Sequence, residues 1–556
     1  MKRKSSISWL WKATKPQMWL IILYSVFSML VSASYVVPAL LSRQIINAAV
    51  GAATGAASAG DIIKYTLYLM GFVVLTIAAM VLNSHMCAVI SGRLELQLRH
   101  NFFESITKKK CAKIASLHSG EILNRFTSDI DIVVSGITNF IPETLSLVAK
   151  AVAGFVVIIT FSKGYAVTIV GVGVLIIVCA LLFKPIFKKT HKQIQESSGV
   201  MRGFTQECIE NIVVVKTFAN RIPLLNKLDK YTKKIYKLKI FRNHIGNVAG
   251  GGATFLYKLG YYATLCWGAF MIANKTMDYG TLMAFMQIVS QIATPFFGAS
   301  NLITHFYSTL ASAERLYELE NLENEEIDEN LNFDDLYENM DSICAEGLSF
   351  KYDKDTVIED SSFSIKKGSC VAITGPSGAG KSTLFKLMLG LYDVEDGKLY
   401  AETKDGKVPL SPSTRPLFAY VPQGNLLISG TIAENIKFAN YDASDEDMIN
   451  AAKTACIYDF IKELPNGFET EIGEHGAGLS EGQVQRIAVA RALCCDAPIL
   501  LLDECTSALD PKTEEEMLKN IEALGTKTVF FISHKNAALS ICDTHLRMED
   551  KKYSIV

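Results

Sequence analysis

Gly375-Pro376-Ser377-Gly378-Ala379-Gly380-Lys381-Ser382-Thr383 decides how the second half of this chain is read. Three glycines let the backbone wrap a triphosphate with its N–H groups turned inward, Lys381 can reach the β- and γ-phosphates, and the Ser382 hydroxyl can reach Mg²⁺. The flanks agree with a phosphate cradle. Val371-Ala372-Ile373-Thr374 predicts a strand feeding the loop, and a helix beginning near Lys381 directs its positive end at the phosphates.

Working outward, residues 343–556 alternate short strands with helices, the pattern of a parallel sheet with crossover helices. Ile499-Leu500-Leu501-Leu502-Asp503-Glu504 predicts a strand covered on both faces whose two acids fall at its carboxyl end, where such sheets place ligands. Asp503 is suited to hold Mg²⁺, and Glu504 to orient and deprotonate an attacking water. Thr528-Val529-Phe530-Phe531-Ile532-Ser533 predicts a second buried strand that ends on His534, a hydrogen-bond donor for charge developing on a phosphate. Gln423, after Tyr420-Val421-Pro422, offers a neutral amide to Mg²⁺ or the water, and Tyr352 offers a ring for adenine.

The first ~310 residues have another character. Six apolar stretches, about 18–41, 63–90, 138–161, 164–186, 249–273 and 280–306, are each long enough to cross ~30 Å of hydrocarbon as a helix. Fourteen Lys or Arg lie between Lys184 and Arg242, and 93–125 is also basic, whereas the gaps 42–61, 162–163 and 274–279 carry one each. Positive charge stays inside, which predicts cytoplasmic termini and two long cytoplasmic loops. Each loop reads as a pair of amphipathic helical limbs, with tips near 111–119 and 205–213. At 1.5 Å per residue each arm projects on the order of 30 Å. Residues 316–350 hold no Lys or Arg, and the acidic run there predicts a solvated linker over 317–342 that divides a membrane domain, 1–316, from a nucleotide domain, 343–556.

With 55 Lys and Arg against 56 Asp and Glu, the chain has no basic surplus for a nucleic-acid partner. Twelve cysteines without framework or ligand spacing predict free thiols. Met1-Lys2-Arg3-Lys4 before an apolar stretch reads as a cytoplasmic anchor and not as a removed signal.

The ordered set of the 375–383 loop, Gln423, Leu479-Ser480-Glu481-Gly482-Gln483, the acid-ended strand, Ser507-Ala508-Leu509-Asp510 and His534 resembles the motif set of ATP-binding cassette proteins. Gly120-Glu121-Ile122-Leu123-Asn124-Arg125-Phe126-Thr127-Ser128-Asp129 and Ser312-Ala313-Glu314-Arg315-Leu316 resemble the exporter-type half-transporters of that family. The resemblance implies an all-α six-helix transmembrane domain with long cytoplasmic arms, joined to an α/β P-loop ATPase domain. It also implies a homodimer, or a heterodimer with a second half-transporter, in which the 479–483 loop contacts the ATP held by the other subunit. Residues 507–510 would form the dimer loop, and the arm tips would be coupling helices. One departure stands out: Glu481 occupies a position where the family usually has glycine, which puts ATP affinity or rate in question. The intact Glu504 and His534 favour a homodimer. No peptidase domain precedes the first span, which argues against self-processing of leader peptides.

These features predict a multi-pass protein of a bacterial-type plasma membrane that hydrolyses ATP with Mg²⁺ and exports a lipid, peptide or drug-like amphipath by alternating access. Uptake of a siderophore-like cargo through the same architecture, and an ATP-gated channel or regulatory subunit, are the alternatives. Lys150 and Lys258 fall near the middle of predicted spans, where an unpaired ammonium costs ~3 kcal/mol or more. Either they pair structurally, as Lys150 with Glu143, or they line a cargo cavity with Gln287, Gln291 and His305, walled by Tyr261, Tyr262 and Trp267. Such a cavity would favour a cargo with an acid group.

Overall fold

The computed structural model describes residues 2–55, 58–117, 119–218, 221–328, 331–352, 355–424, 427–473, 476 and 478–556. The chain divides into two compact units. One comprises 1–104 and 119–321; the other comprises 105–118 and 322–556.

Among its described residues the first unit is helical apart from short turns, and its long runs stay helical even through Pro185 in Lys163–Glu210 and Gly250–Gly252 in Arg221–Ala273. Ser6–Ala53, Ala59–Thr107 and Ser119–Phe161 are long and apolar enough to cross a membrane, and they contain the first three predicted spans. The other three predicted spans lie in the helices Lys163–Glu210, Arg221–Ala273 and Tyr279–Glu320. In these helices the side chains at 167–170, 172–181, 184, 188, 292–301, 303 and 304 lie outside the described residues. Val74, Leu75 and Val81 are exposed along Ala59–Thr107, a surface that suits hydrocarbon and not water. The first predicted span is broken: Met18–Ser34 stops before Tyr35 and the chain restarts as Val37–Ala53, with Pro38 fixing the first turn of the new helix.

Helix starts follow local capping. Ser162 accepts from the Tyr165 amide at 3.4 Å, and Asp278 accepts from the Thr281 amide at 2.6 Å, each satisfying an otherwise orphaned donor. The return limb of the first arm is less regular than its amphipathic pattern predicts, because it carries π-turns at Arg125–Asp129 and Gly136–Phe140. Asp129, buried at the end of the first π-turn, accepts from the Ser312 hydroxyl at 2.9 Å and from Arg315 Nε at 2.8 Å. Arg125 in turn donates to the Arg315 carbonyl at 2.7 Å. The two sequence stretches that resemble the exporter halves therefore meet in one bolt.

The second unit is built on a six-stranded sheet whose spatial order is Lys552–Ile555, Thr544–Glu549, Cys370–Thr374, Thr528–Ile532, Ile499–Asp503, Phe418–Val421. The last five are mutually parallel. A second, antiparallel sheet is formed by Met340–Tyr352, Asp355–Lys366, Asp396–Thr403 and Gly406–Pro409. The helix Lys381–Met388 buries Leu384, Phe385, Leu387 and Met388 against Phe530 and Ile373. At ~1.5–3 kcal/mol for each fully buried large apolar side chain, this packing holds the helix, and the glycine loop before it, in register with the sheet.

The expected linker is solvated only in part. Tyr279–Glu320 stays helical to Glu320, and residues 321, 323–324 and 326–328 are exposed, but Glu325 among them is not. Glu325 is 7% exposed and meets Arg415 through two hydrogen bonds of 3.0 Å. A bidentate guanidinium partner explains why an acid in that run is buried.

Candidate functional site

Parallel pairing sets the site. The strands Cys370–Thr374, Thr528–Ile532, Ile499–Asp503 and Phe418–Val421 are neighbours in that order and point the same way. Their carboxyl ends therefore present the glycine loop, His534, the Asp503–Glu504 pair and Gln423 side by side, at the edge where α/β sheets bind ligands.

Within the loop, Gly375, Gly378 and Gly380 have φ of 147°, 76° and 112°. At Gly375 a Cβ would lie 2.6 Å from the Met548 carbonyl oxygen, whereas at Gly378 it would meet nothing within 4 Å. The first glycine is required by packing, and the second leaves open space over the loop. Lys381 is buried, and its ammonium donates to the Gly375 and Pro376 carbonyls at 2.8 and 2.9 Å. Burial lowers its pKa, partly offset by the charges of Glu504 and Asp503. Tyr553 donates to the Gly380 carbonyl at 3.1 Å and braces the loop from behind, a role no sequence pattern announced. Pro376, Ser377 and Ala379 complete the turn, with Ala379 N–H bonded to the Pro376 carbonyl at 3.2 Å.

Asp503 is 1% exposed, and neither of its oxygens has a well-formed hydrogen bond, although the Ser382 and Tyr420 hydroxyls stand close to it. Burial raises its pKa against the lowering influence of Ser382, Lys386 and Lys381, while Glu504 raises it further. A desolvated carboxylate beside a serine hydroxyl fits a hard divalent cation by its donor chemistry. Glu504 follows with φ of 50°, a left-handed backbone costly for a non-glycine residue at ~1–3 kcal/mol. Its amide is fixed to the Ile532 carbonyl at 3.0 Å. The bend takes the side chain out of the sheet, where Gln423 Nε2 donates to Oε2 at 2.7 Å and His534 Nε2 stands 4.0 Å from Oε1. Gln423, Glu504 and His534 are thus brought together. Tyr352 is half-buried, edge-on to Phe350 and Tyr392, with its hydroxyl 3.5 Å from Thr383 Oγ1. Its ring is partly engaged in packing beside the loop.

Leu479-Ser480-Glu481-Gly482-Gln483 opens the helix Glu481–Cys494. Ser480 is its N-cap in a reciprocal capping box, with the Ser480 amide on Gln483 Oε1 at 2.8 Å and the Gln483 amide on Ser480 Oγ at 3.3 Å. Glu481 is the exposed first helical residue, where a carboxylate complements the dipole, and it has no positive φ that would call for glycine. Gly482 does need to be glycine, since a Cβ would lie 2.9 Å from the Ala508 carbonyl oxygen. The helix packs on Phe418–Val421, three strand spacings or ~14 Å from the strand that feeds the glycine loop. Gln485 joins it to the 507–510 loop, donating to Ser507 Oγ at 2.8 Å and accepting from the Ala508 amide at 3.1 Å. Asp510 caps Pro511–Glu522 by accepting from the Thr513 amide at 3.0 Å, a bond that lowers its pKa. Lys535, next to His534, fixes the same loop through the Thr506 carbonyl at 2.7 Å, the Leu509 carbonyl at 3.3 Å and the buried Glu514 at 3.0 Å.

The predicted cargo residues are divided. Lys150 lies 5.1 Å from the Tyr35 ring centroid, and Gln291 Nε2 donates to the Tyr35 carbonyl at 2.9 Å with its Oε1 buried and unsatisfied. Among the described residues Lys150 forms no ion pair, so the expected bridge to Glu143 is absent. Lys258 sits over Tyr257 and Tyr261 of its own helix, and no interaction among the described residues joins it to Lys150, Gln287, Gln291 or His305. Trp267 is not a free wall, because it stacks on Tyr165 at 4.7 Å and packs against Phe285. The aromatic stretch reads as one surface only when the face it occupies on its helix is ignored.

Comparisons with known proteins agree with this geometry. A family model described as "ABC transporter transmembrane region" matches residues 21–296, and one described as "ABC transporter" matches 358–507. An ATP-dependent lipid A-core flippase of Desulfotalea psychrophila is 29% identical over 446 residues, 79% of this chain and 76% of that protein. A probable ABC transporter ATP-binding/permease protein of Haemophilus influenzae is 28% identical over 481 residues, 84% of each. The solved structure of a bacterial Atm1-family ABC exporter with ATP bound shares the fold, with a TM-score of 0.80 at 22% identity over 96% of this chain and 94% of that one.

Proposed function

The chain belongs to the ABC transporters, and from that premise we propose that two copies form an exporter in which each ATP is cradled by one chain's 375–383 loop and capped by the other's Ser480 and Gly482. ATP hydrolysis drives transport across the membrane, and the half-transporter architecture requires a second half. Our finer reading is a homodimer with six spans per chain and a cytoplasmic ATPase domain. The support for hydrolysis at this site is the Glu504 geometry: a strained backbone and a Gln423 hydrogen bond hold one carboxylate at the carboxyl ends of the strands, next to a buried acid without a well-formed hydrogen bond. The support for the dimer is the separation of the capping loop from its own chain's cradle.

Asp503, Ser382 and Gln423 would hold Mg²⁺, which supplies charge neutralisation on the phosphates when bound. Lys381 orients the β- and γ-phosphates, Glu504 takes the proton of the attacking water, and His534 donates a hydrogen bond to charge developing on the γ-phosphate. Replacing Glu504 with Gln leaves ATP binding intact and slows hydrolysis ~10²–10⁴-fold, the usual contribution of a general base. The ATP-bound dimer then accumulates in size-exclusion chromatography. Wild-type turnover in E504Q rules this role out.

The cargo we propose is an amphipath with an acid group, bound by the Lys150 ammonium between Tyr35 and Gln291; flippase activity among the relatives' names is in keeping with it. In nanodiscs, Lys150→Gln keeps basal ATPase and loses stimulation by anionic lipids. Equal loss of stimulation by cationic amphipaths goes against an acid-selective site.

A further inference from the structure

The helix Lys381–Met388 begins at the phosphate loop and ends, through Leu389, at an arginine that is far away in sequence. Arg415 Nε donates to the Leu389 carbonyl at 3.0 Å, and its NH2 lies 3.5 Å from the Gly390 carbonyl. A cation there complements the negative end of the helix dipole and satisfies carbonyls that the helix leaves open. Arg415 is itself fixed in the short 3₁₀ turn Pro412–Leu417, at whose start the Ser411 amide donates to Thr414 Oγ1 at 3.0 Å and the Thr414 amide to the Ser411 carbonyl at 3.0 Å.

The other side of the same guanidinium holds Glu325 through both carboxylate oxygens. Glu325 lies in a segment that pairs antiparallel with the tip of the first arm. The Glu325 amide donates to the Lys108 carbonyl at 2.8 Å and the Lys110 amide to the Glu323 carbonyl at 3.0 Å, around an Asn324–Lys109 bridge. Lys109 is buried, with its ammonium on the Leu322 carbonyl at 2.9 Å and on Asn324 Oδ1 at 2.7 Å. Ser413 accepts from the Asp328 amide at 2.8 Å, fastening the segment at its other end. All of these residues belong to one compact unit.

We infer that Arg415 is a positioning residue that transmits the state of the phosphate-loop helix to the first arm tip through residues 322–328, with Glu325 as its receiving partner. The planar fork suits this role, since one rigid group bonds the helix end and the carboxylate at once and a shift of either must move the other. The acidic run is thus a transmission strap. The inference rests on the reading of 375–383 as the ATP cradle.

Hydrogen exchange of the full-length protein in nanodiscs, with and without a non-hydrolysable ATP analogue and Mg²⁺, tests it. In the native chain the analogue slows exchange in 375–388, in 322–328 and in 105–118. In Arg415→Gln/Glu325→Gln, which leaves no unpaired buried charge, the analogue binds within ~2-fold of native affinity and still protects 375–388. Its effect on 105–118 falls at least severalfold. The swap Arg415→Glu/Glu325→Arg recovers part of that effect, and Arg415→Lys, which keeps the charge but loses the fork, falls between. A purely structural strut predicts general loss of protection in both states instead. The inference is overturned if 105–118 responds to the analogue equally in the native chain and in R415Q/E325Q or R415K, or if the variants lose analogue binding in proportion. Absence of any analogue effect on 375–388 in the native chain overturns the cradle reading itself, and the strap with it.

Discussion

The two arm tips come from the same plan, a long helical limb, a short turn and a limb back, yet they end in opposite conditions. The first tip, 105–118, belongs to the nucleotide unit, and two of its lysines are taken up: Lys109 by the strap's carbonyl and amide oxygens, Lys110 by Asp393 at 2.8 Å. The second tip remains in the helical unit and shows water a row of apolar side chains, with Val213 73% and Phe218 74% exposed beside Ile209 and Ile212. Single exposed apolar residues are ordinary, but a cluster on the turn of a helical arm marks an interaction surface. The lysine tip finds partners for two of its charges within its own chain, and a tip of Ile-Val-Val-Val does not find its apolar cover there among the described residues. Were the second tip to meet a second copy's nucleotide domain, one arm would report on its own ATP and the other on its neighbour's.

Breaking the frame that carries the first tip has the largest effect. Arg315→Met strands the buried Asp129 with only the Ser312 hydroxyl, and removing one partner of a buried pair typically costs ~3 kcal/mol or more. We expect a fall of that size in denaturant unfolding of the helical unit. A loss below ~1 kcal/mol implies that Asp129 is solvated and the bolt is not structural.

The second tip comes next. Val213→Asp places a charge on a surface that is exposed in the single chain, so stability changes by no more than ~0.5 kcal/mol. If the surface is an interface, the same change costs ~1.5–2 kcal/mol of association, about tenfold or more in dimer-dependent ATPase. Unchanged ATPase and unchanged transport in that variant remove the contrast between the tips.

The difference between the tips was legible in the sequence only in part. The phosphate loop, the acid-ended strand and His534 could be read because their chemistry needs particular residues at fixed short spacings, and a parallel sheet then brings their strand ends together. The helical class and the arms could be read from apolar run length and charge asymmetry. What resisted was long-range pairing. An acidic run looks solvated because nothing local announces that Arg415, 90 residues away, will neutralise one of its members. Lys150 and Lys258 looked equivalent because both interrupt apolar runs, and only three-dimensional packing gives one of them Tyr35 of the turn between two other helices and leaves the other over tyrosines of its own helix. The left-handed backbone at Glu504 was hidden too, since Asp-Glu after a strand is compatible with an extended continuation.

The smallest effect sharpens the first tip alone. Lys110 is about one-third exposed and Asp393 mostly exposed, so their bridge is a surface pair worth under ~1 kcal/mol and weakened by salt. The hydrogen bond to Asp393 raises the Lys110 pKa above its ordinary value, with desolvation opposing and nearby acids adding to the rise. A lysine raised on folding stabilises fully below its unfolded pKa and loses that contribution as pH climbs through the folded one. The difference in unfolding free energy between the native chain and Lys110→Met is therefore flat from neutral pH to about 10 and shrinks above that. It also shrinks with salt at neutral pH. A difference that instead disappears on going from pH 8 to pH 6 points away from this ammonium, and leaves the backbone pairing at Glu323 and Glu325 as what holds the tip to the strap.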